Sequence, residues 1–338
     1  MIKEKEQVFF EEFVGEPATE FKKLAQSGSA RANYAAQSSG QKYIVTKNNH
    51  LPENESFFYF SQIFSELHLN TPEIFKISDD RKMYVQEFLG ENTLSEIIEK
   101  EGLSERVQSL VKKTLHHLFQ LQIRTRNAID YSQIFEYEEY DELPILNDLF
   151  YFKSFIVDLL EIPYHKAKLV KEFKTIISEI ENLEPKGLMI RDFQARNIMV
   201  DNRDEVFFID YQSAMKGPLM YDVISFLFQA KANFPEDFKS EMLNYYFSLW
   251  KEDNEILQLK SSVKLLQLIR FMQVLGAYGF RGLVQRKPHF LKSLSQGIDN
   301  LSAFSQNWDD IKNYPELKEI IRALKTDDTY KKIEQIIS

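Results

Sequence analysis

Three oxygen-bearing side chains near the middle of the 338-residue chain carry the strongest chemical signal. Asp192 follows Arg191, Asn197 lies five positions after Asp192, and Asp210 lies thirteen positions after Asn197, closing the apolar run Val206-Phe207-Phe208-Ile209. A carboxylate at a loop tip can accept the proton of a hydroxyl group. An amide oxygen and a second carboxylate are hard ligands suited to Mg²⁺, an ion that keeps several waters and takes few protein groups. Each residue alone is ordinary in a chain with 51 acidic residues. The combination is not, because an Arg precedes the first Asp, a hydrophobic strand ends at the second, and a β-rich segment with a small-residue loop comes earlier.

Very short strands are expected over residues 187–190, 198–201 and 206–210, on either side of the loop that holds these groups. Upstream, residues 3–13 and 19–26 read as short helices. The turn Ser27-Gly28-Ser29-Ala30-Arg31 leads into extended runs over 33–37 and 41–47, joined by Ser38-Ser39-Gly40. Residues 48–53 hold Pro52 and read as a loop. Phe57, Phe60, Ile63, Phe64 and Leu67 fall at helical spacing and predict a helix over 56–67. Strands follow over 74–77 and 82–88. After Gly90 the pattern turns helical, over 104–124, 146–160 and 166–182, and again from Tyr221 to the end. The expected class is α+β: a small β-rich N-terminal lobe over 1–89 and a larger, mainly helical C-terminal lobe over 90–338.

Composition narrows the field. Lys plus Arg is 42 and Asp plus Glu is 51, a formal charge of −9, which argues against a general nucleic-acid binder. With no cysteine there is no disulfide framework, thiolate metal site or thiol nucleophile, and a reducing cytoplasm fits. The N-terminus is charged and unlike a signal peptide, and no run is apolar enough for a membrane span. His116 and His117 are adjacent on a predicted helix and point about 100° apart, so they cannot chelate one ion together. The 28 Phe residues read as core.

Arg-Asp, four residues, Asn, a short hairpin, then Asp: this order resembles the catalytic loop and metal-binding segment of the protein-kinase-like phosphotransferases. Here Ile209-Asp210-Tyr211-Gln212 lacks the glycine of the protein-kinase Asp-Phe-Gly triplet, and no Ala-Pro-Glu follows. Instead the segment is similar to the aminoglycoside phosphotransferase and choline kinase group, and within it to bacterial anomeric kinases of N-acetylmuramate and N-acetylglucosamine. Arg191-Asp192-Phe193, Arg196-Asn197, Ile209-Asp210-Tyr211-Gln212 with Ala214, and Gly217-Pro218 with Tyr221-Asp222 match that pattern. Gly28-Ser29-Ala30-Arg31-Ala32-Asn33-Tyr34 resembles the group's nucleotide loop, and Gln86-Glu87-Phe88-Leu89-Gly90 its hinge.

The resemblance implies a two-lobed protein-kinase-like fold, ATP and Mg²⁺ as cofactors, and a small sugar or alcohol as substrate. It implies Asp192 as the base toward the acceptor hydroxyl, and Asn197 and Asp210 as Mg²⁺ ligands. Arg196 either offsets phosphate charge or forms a salt bridge within the loop. Ser27, Gly28 and Ser29 would approach the phosphates, and backbone groups of Gln86, Glu87 and Leu89 would meet adenine. Lys47, oriented by Glu55 or Glu66, is the expected grip on the α- and β-phosphates; its alternative is a solvated strand end. Arg191 would brace the loop and Asp222 anchor it. The expected reaction is phosphorylation of the anomeric hydroxyl of N-acetylmuramate or N-acetylglucosamine; choline, an aminoglycoside or another small alcohol is the alternative acceptor, and a catalytically silent binding module the alternative class. Lys216, Arg270, Arg281, Arg286 and Lys287 are cations that could meet a substrate carboxylate, although a surface position is the ordinary expectation for each. The acidic run Glu138, Glu139 and Asp141 is likewise either an acceptor site or a solvated face.

Overall fold

The computed structural model describes residues 4–25 and 31–337. In chain order its elements begin α1 (Lys5–Val14), β1 (Glu20–Lys23), β2 (Ala32–Ser38), β3 (Gln41–Lys47), α2 (Leu51–Glu66), β4 (Ile74–Ile77), β5 (Met83–Glu87), β6 (Asn92–Thr93), α3 (Leu94–Glu101) and α4 (Glu105–Arg124). They continue α5 (Glu142–Phe152), α6 (Lys166–Glu181), β7 (Lys186–Met189), β8 (Ile198–Val200), β9 (Val206–Phe208), β10 (Met215–Pro218), α7 (Met220–Leu227), α8 (Glu236–Ser248) and α9 (Asp253–Tyr278). The last are α10 (Pro288–Gln306), α11 (Pro315–Leu324) and α12 (Asp327–Ile337). The chain separates into two compact units, one of Met1–Glu138 with Ile190–Met215, the other of Glu139–Met189 with Lys216–Ser338.

The first unit is built on an antiparallel sheet in the order β1-β2-β3-β5-β4. Register places Tyr34 opposite Val45 and Val45 opposite Val85. Because strand side chains alternate, these three share one face. They are buried there with Ala36 against Phe9 and Phe10 of α1. The opposite face carries Asn33, Thr46, Tyr84 and Gln86, tied by bonds from Thr46 Oγ1 to Asn33 Oδ1 (2.8 Å) and from Gln86 Nε2 to Thr46 Oγ1 (3.3 Å). Phe57 and Phe58 of α2 pack on Tyr84, with ring centroids 5.2 Å away in each case. Helices thus cover both faces of the sheet.

Two local expectations change. Residues 20–23 form β1 and not a helix: Phe21 stacks on Tyr34 at 5.0 Å, and the ladder to β2 outweighs a short, ambiguous pattern. Helix α2 begins at Leu51, inside the expected loop, because Pro52 sits in its first turn, where a missing N–H costs nothing. His50 caps it by accepting from Glu53 N–H. Gly90 follows β5 at φ +124°, where a Cβ would stand 2.6 Å from the Val200 carbonyl oxygen, so only glycine permits this approach to β8.

The second unit is helical around α9, which packs on α5, α7 and α10. Leu266, Leu268, Ile269 and Met272 are buried on different sides of α9, as in a helix central to a core. Glu172 of α6 accepts from the N–H groups of Glu316 and Leu317 (2.8 Å each), capping the start of α11.

Candidate active site

The acidic and amide groups singled out by spacing meet in the first unit. The loop before β8 turns sharply: Asp192 N–H donates to Ile190 O (2.9 Å) and Asn197 N–H to Gln194 O (2.8 Å). Arg191 takes φ 71°, a left-handed conformation that costs a non-glycine residue about 1–3 kcal/mol and persists only where surroundings enforce it. One enforcing contact is Phe193, buried edge-on against Phe208 of β9 at 4.8 Å. Asn197 Nδ2 donates to the Asp192 carbonyl oxygen at 2.9 Å, so its Oδ1 points elsewhere as an acceptor. The Asn197 carbonyl oxygen accepts from Ile209 N–H at 3.0 Å. One hydrogen-bonded frame therefore links the backbone of Asp192, both ends of Asn197 and the residue before Asp210.

Asp210 is also left-handed, at φ 65°. Its next neighbour holds it there. Tyr211 is fully buried, stacked on Phe57 at 5.1 Å and edge-on to Phe64 at 5.0 Å, with its hydroxyl 2.8 Å from Ser61 Oγ. Burial pushes the Tyr211 phenol well above its ordinary value, so it is neutral. Ser56 Oγ donates to the Gln212 carbonyl oxygen at 2.7 Å, a second tie to α2.

The Asp210 carboxylate is ringed by donors. Arg31 Nη2 bonds Asp210 Oδ1, Arg31 Nη1 donates to Gln212 Oε1 at 3.2 Å, and Gln212 Nε2 donates to Asp210 Oδ1 at 3.0 Å. Burial opposes the charge of Asp210, but the Arg31 guanidinium, these hydrogen bonds and the Arg196 charge hold its carboxyl below the usual range. Arg31 Nε lies 3.4 Å from Glu53 Oε1, and Asn48 Nδ2 donates to Glu53 Oε2 at 2.9 Å. Arg196 Nη2 pairs with Asp192 Oδ2 at 2.7 Å, the loop salt bridge that was one of its two expected roles.

Other expected residues fall elsewhere. Lys47 bonds Glu6 Oε1 at 2.5 Å, on the α1 face of the sheet. Its expected partners are engaged differently: Glu55 with Arg81, and Glu66 with Gln62. Gln86 and Glu87 lie in β5, where the Glu87 N–H already donates to Glu73 O (2.9 Å). Leu89 is buried just beyond that strand. The Gln86 Oε1 is buried and has no hydrogen-bond partner among the described residues. Ser27, Gly28 and Ser29 lie outside the described residues.

In the second unit, Asp222 is fully buried within α7. Arg270 is no surface cation: it is 5% exposed, its guanidinium 5.7 Å from the Tyr221 ring centroid. Glu139 bridges Lys186 (2.7 Å) and Lys216 (3.2 Å), and Asp141 caps α5. Two of the three acidic residues therefore have structural partners.

Sequence reasoning missed Arg31 as the partner of Asp210, Glu53 as the second carboxylate on Arg31, and Tyr211 as the anchor of Asp210. Asn197 and Asp210 suit a magnesium ion, being an amide oxygen and a carboxylate, both hard donors. Among the described residues no group of three or more His, Cys, Asp or Glu side chains converges as in a transition-metal site. A separate cavity of about 390 Å³ in the first unit, bordered by His68, Asn70, His117, Arg124 and Phe208, includes none of these residues.

The likeness to known proteins fits this geometry. Over 183 residues the chain is 24% identical to the N-acetylmuramate/N-acetylglucosamine kinase of Neisseria meningitidis serogroup B, a match spanning 53% of this chain and about half (52%) of that relative. A thermostable mutant of aminoglycoside phosphotransferase APH(4)-Ia superposes with a TM-score of 0.60 at 16% identity, covering 89% of this chain and 98% of that one. A further variant of that protein has been solved as a ternary complex with ADP and hygromycin B. The choline kinase LicA from Streptococcus pneumoniae superposes at 0.58 and 14% identity, covering 88% and 98%. The fold is thus kinase-like. Residues 21–258 match the phosphotransferase enzyme family (APH), and the chain belongs to that family.

Proposed function

We propose that the chain is an ATP-dependent phosphotransferase acting on a hydroxyl group of a small molecule. The observation that carries this is the frame joining Asp192, Asn197 and Asp210, in which one amide side chain and one carbonyl fix all three relative to one another. In this reading residues 1–89 serve the nucleotide, and residues 90–338 supply the catalytic loop and the acceptor site. Asn197 Oδ1 and the Asp210 carboxylate would hold Mg²⁺, which, when bound, offsets negative charge on the phosphate oxygens. Phosphoryl transfer asks a protein mainly to position groups and balance charge. Asp192 orients the acceptor hydroxyl and takes its proton as the new oxygen–phosphorus bond forms and the bond to the β-phosphate oxygen breaks, releasing ADP. The Arg196 ion pair steers the Asp192 carboxylate toward that hydroxyl. The orphaned Gln86 Oε1 supplies an acceptor for an amino group such as that of adenine.

The favoured acceptor is the anomeric hydroxyl of N-acetylmuramate or N-acetylglucosamine, giving a sugar 1-phosphate for cell-wall recycling in the cytoplasm. Support is the shared sequence pattern and the Neisseria relative. No helix among the described residues is long and apolar enough to cross a membrane. The test is ADP release in Mg²⁺–ATP with a panel of N-acetylmuramate, N-acetylglucosamine, choline and kanamycin, with phosphorus NMR locating the phosphate. Turnover of the amino sugars at the anomeric position is expected. Turnover of choline or kanamycin alone replaces the acceptor. Nucleotide binding without turnover of any acceptor points to a binding module.

A further inference from the structure

We propose that Arg31, and not a lysine of β3, is the cation that grips the α- and β-phosphates of the nucleotide; this rests on the phosphotransferase reading above. Strand alternation leaves β3 no suitable lysine. Its positions on the α2 side are Lys42, Ile44 and Thr46: Lys42 stands at the far end of the strand, opposite Gln37, and is paired with Glu91 at 2.7 Å, while Thr46 is occupied with Asn33 and Gln86. Lys47 faces α1 with Tyr43 and Val45 and is paired with Glu6.

Arg31 stands one residue before β2 and supplies positive charge at the end of the opposite face where Asn33 pairs with Thr46. Its side chain is only 16% exposed, and its guanidinium spans Asp210, Gln212 and Glu53. A cation this buried needs fixed anionic partners. Glu53 is such a partner, because Asn48, itself 4% exposed, donates to its second oxygen. Arg31 therefore touches the Asp210 carboxylate, the metal ligand of that reading, with one nitrogen while a helix carboxylate orients another. When Asp210 engages a cation, Arg31 keeps Glu53 through Nε and turns Nη1 and Nη2 toward phosphate oxygens. Its planar fork suits two oxygens at once, which an ammonium does not.

The experiment is calorimetric titration of adenosine and of ADP with Mg²⁺ into wild type, Arg31→Lys, Arg31→Met and Glu53→Gln, with a thermal melt on each. Wild type should bind ADP more tightly than adenosine. Arg31→Met should lose roughly 10–100-fold in ADP affinity with adenosine affinity unchanged, the scale of one charged hydrogen-bonded contact. Arg31→Lys, which keeps the charge, should fall between, and Glu53→Gln should weaken ADP by a smaller factor. Folded Arg31→Met or Arg31→Lys binding ADP as wild type does, or a loss of ADP affinity in Lys47→Met alone, overturns the assignment to Arg31. A wild type that binds neither ligand overturns the phosphotransferase reading instead, and the assignment with it.

Discussion

Tyr211 gives a sharp test of how the Asp210 carboxylate is aimed. Ser61 has one hydroxyl proton, and it is donated to Phe57 O at 2.7 Å. Tyr211 must therefore donate in its 2.8 Å contact with Ser61 Oγ. Tyr211→Phe removes that donor but leaves the ring between Phe57 and Phe64, and no donor on Ser61 is stranded. The loss should be about 1 kcal/mol. Tyr211→Ala removes a ring that is 0% exposed, and large aromatic truncations of this kind cost about 3–5 kcal/mol. That is a large share of the roughly 5–15 kcal/mol that holds a typical domain together. The two variants should also separate in chemistry. With the ring in place Asp210 stays put, and kcat in the phosphotransfer assay should remain within about threefold of wild type. Without it, displacement of the carboxylate by even an ångström should cost on the order of 10²-fold. Urea denaturation and initial-rate kinetics on the folded fraction measure both quantities. A Tyr211→Phe variant of unchanged stability but with kcat down a hundredfold would refute the reasoning, since it would give the hydroxyl, not the ring, the decisive role.

Asp192→Ala should fold as wild type, keep ADP affinity and lose roughly 10²–10⁴-fold in turnover, the usual scale for a positioned base; wild-type turnover removes Asp192 from the chemistry. Gly90→Ala combines a positive-φ penalty with a Cβ 2.6 Å from a backbone carbonyl oxygen, so its denaturation free energy should fall by about 2–4 kcal/mol, and an unchanged midpoint contradicts that approach. The Glu6–Lys47 pair should show in the pH dependence of stability. Burial opposes the Glu6 charge, but Lys47 holds its carboxyl below the ordinary 4.5, so its contribution is complete above that pH and fades as pH falls through the lowered value. The Glu6 hydrogen bond raises Lys47 above 10.5, so its contribution is complete below that pH and fades as pH rises through the raised value. Glu6→Gln should flatten both arms of the thermal-melt profile, and a profile identical to wild type argues that the pair contributes nothing.

The residues that were legible in the sequence are those whose relations are short. Asp192, Asn197 and Asp210 lie within nineteen positions on one loop and hairpin, so spacing alone carries their geometry. Helix α3 is marked by equally short relations. Thr93 and Glu96 form a reciprocal capping box, and buried Leu94, Ile97 and Ile98 follow the same short pattern. Strand β1 was obscure for the opposite reason: four mostly exposed residues become a strand only because β2 pairs with them.

Arg31 marks the boundary between the two cases. Its partner Asp210 is 179 residues away, and no local pattern reports such a meeting. A negative clue was nevertheless present. Tyr43 and Val45 are the apolar residues at alternate positions of β3, which places Lys47 on their side of the sheet. A lysine on that side cannot serve a ligand held on the other, and Lys42, which is on the other side, sits at the far end of β3 with Glu91, so the positive charge near Asp210 comes from another strand. Among residues leading into the sheet, Arg31 lies one position from β2 and two before Asn33, which faces Thr46. Period-two alternation therefore sets Lys47 apart, and the fold supplies the arginine, because only the folded chain brings the first turn of α2, through Glu53, and the end of β9, through Asp210, to one guanidinium at the start of β2.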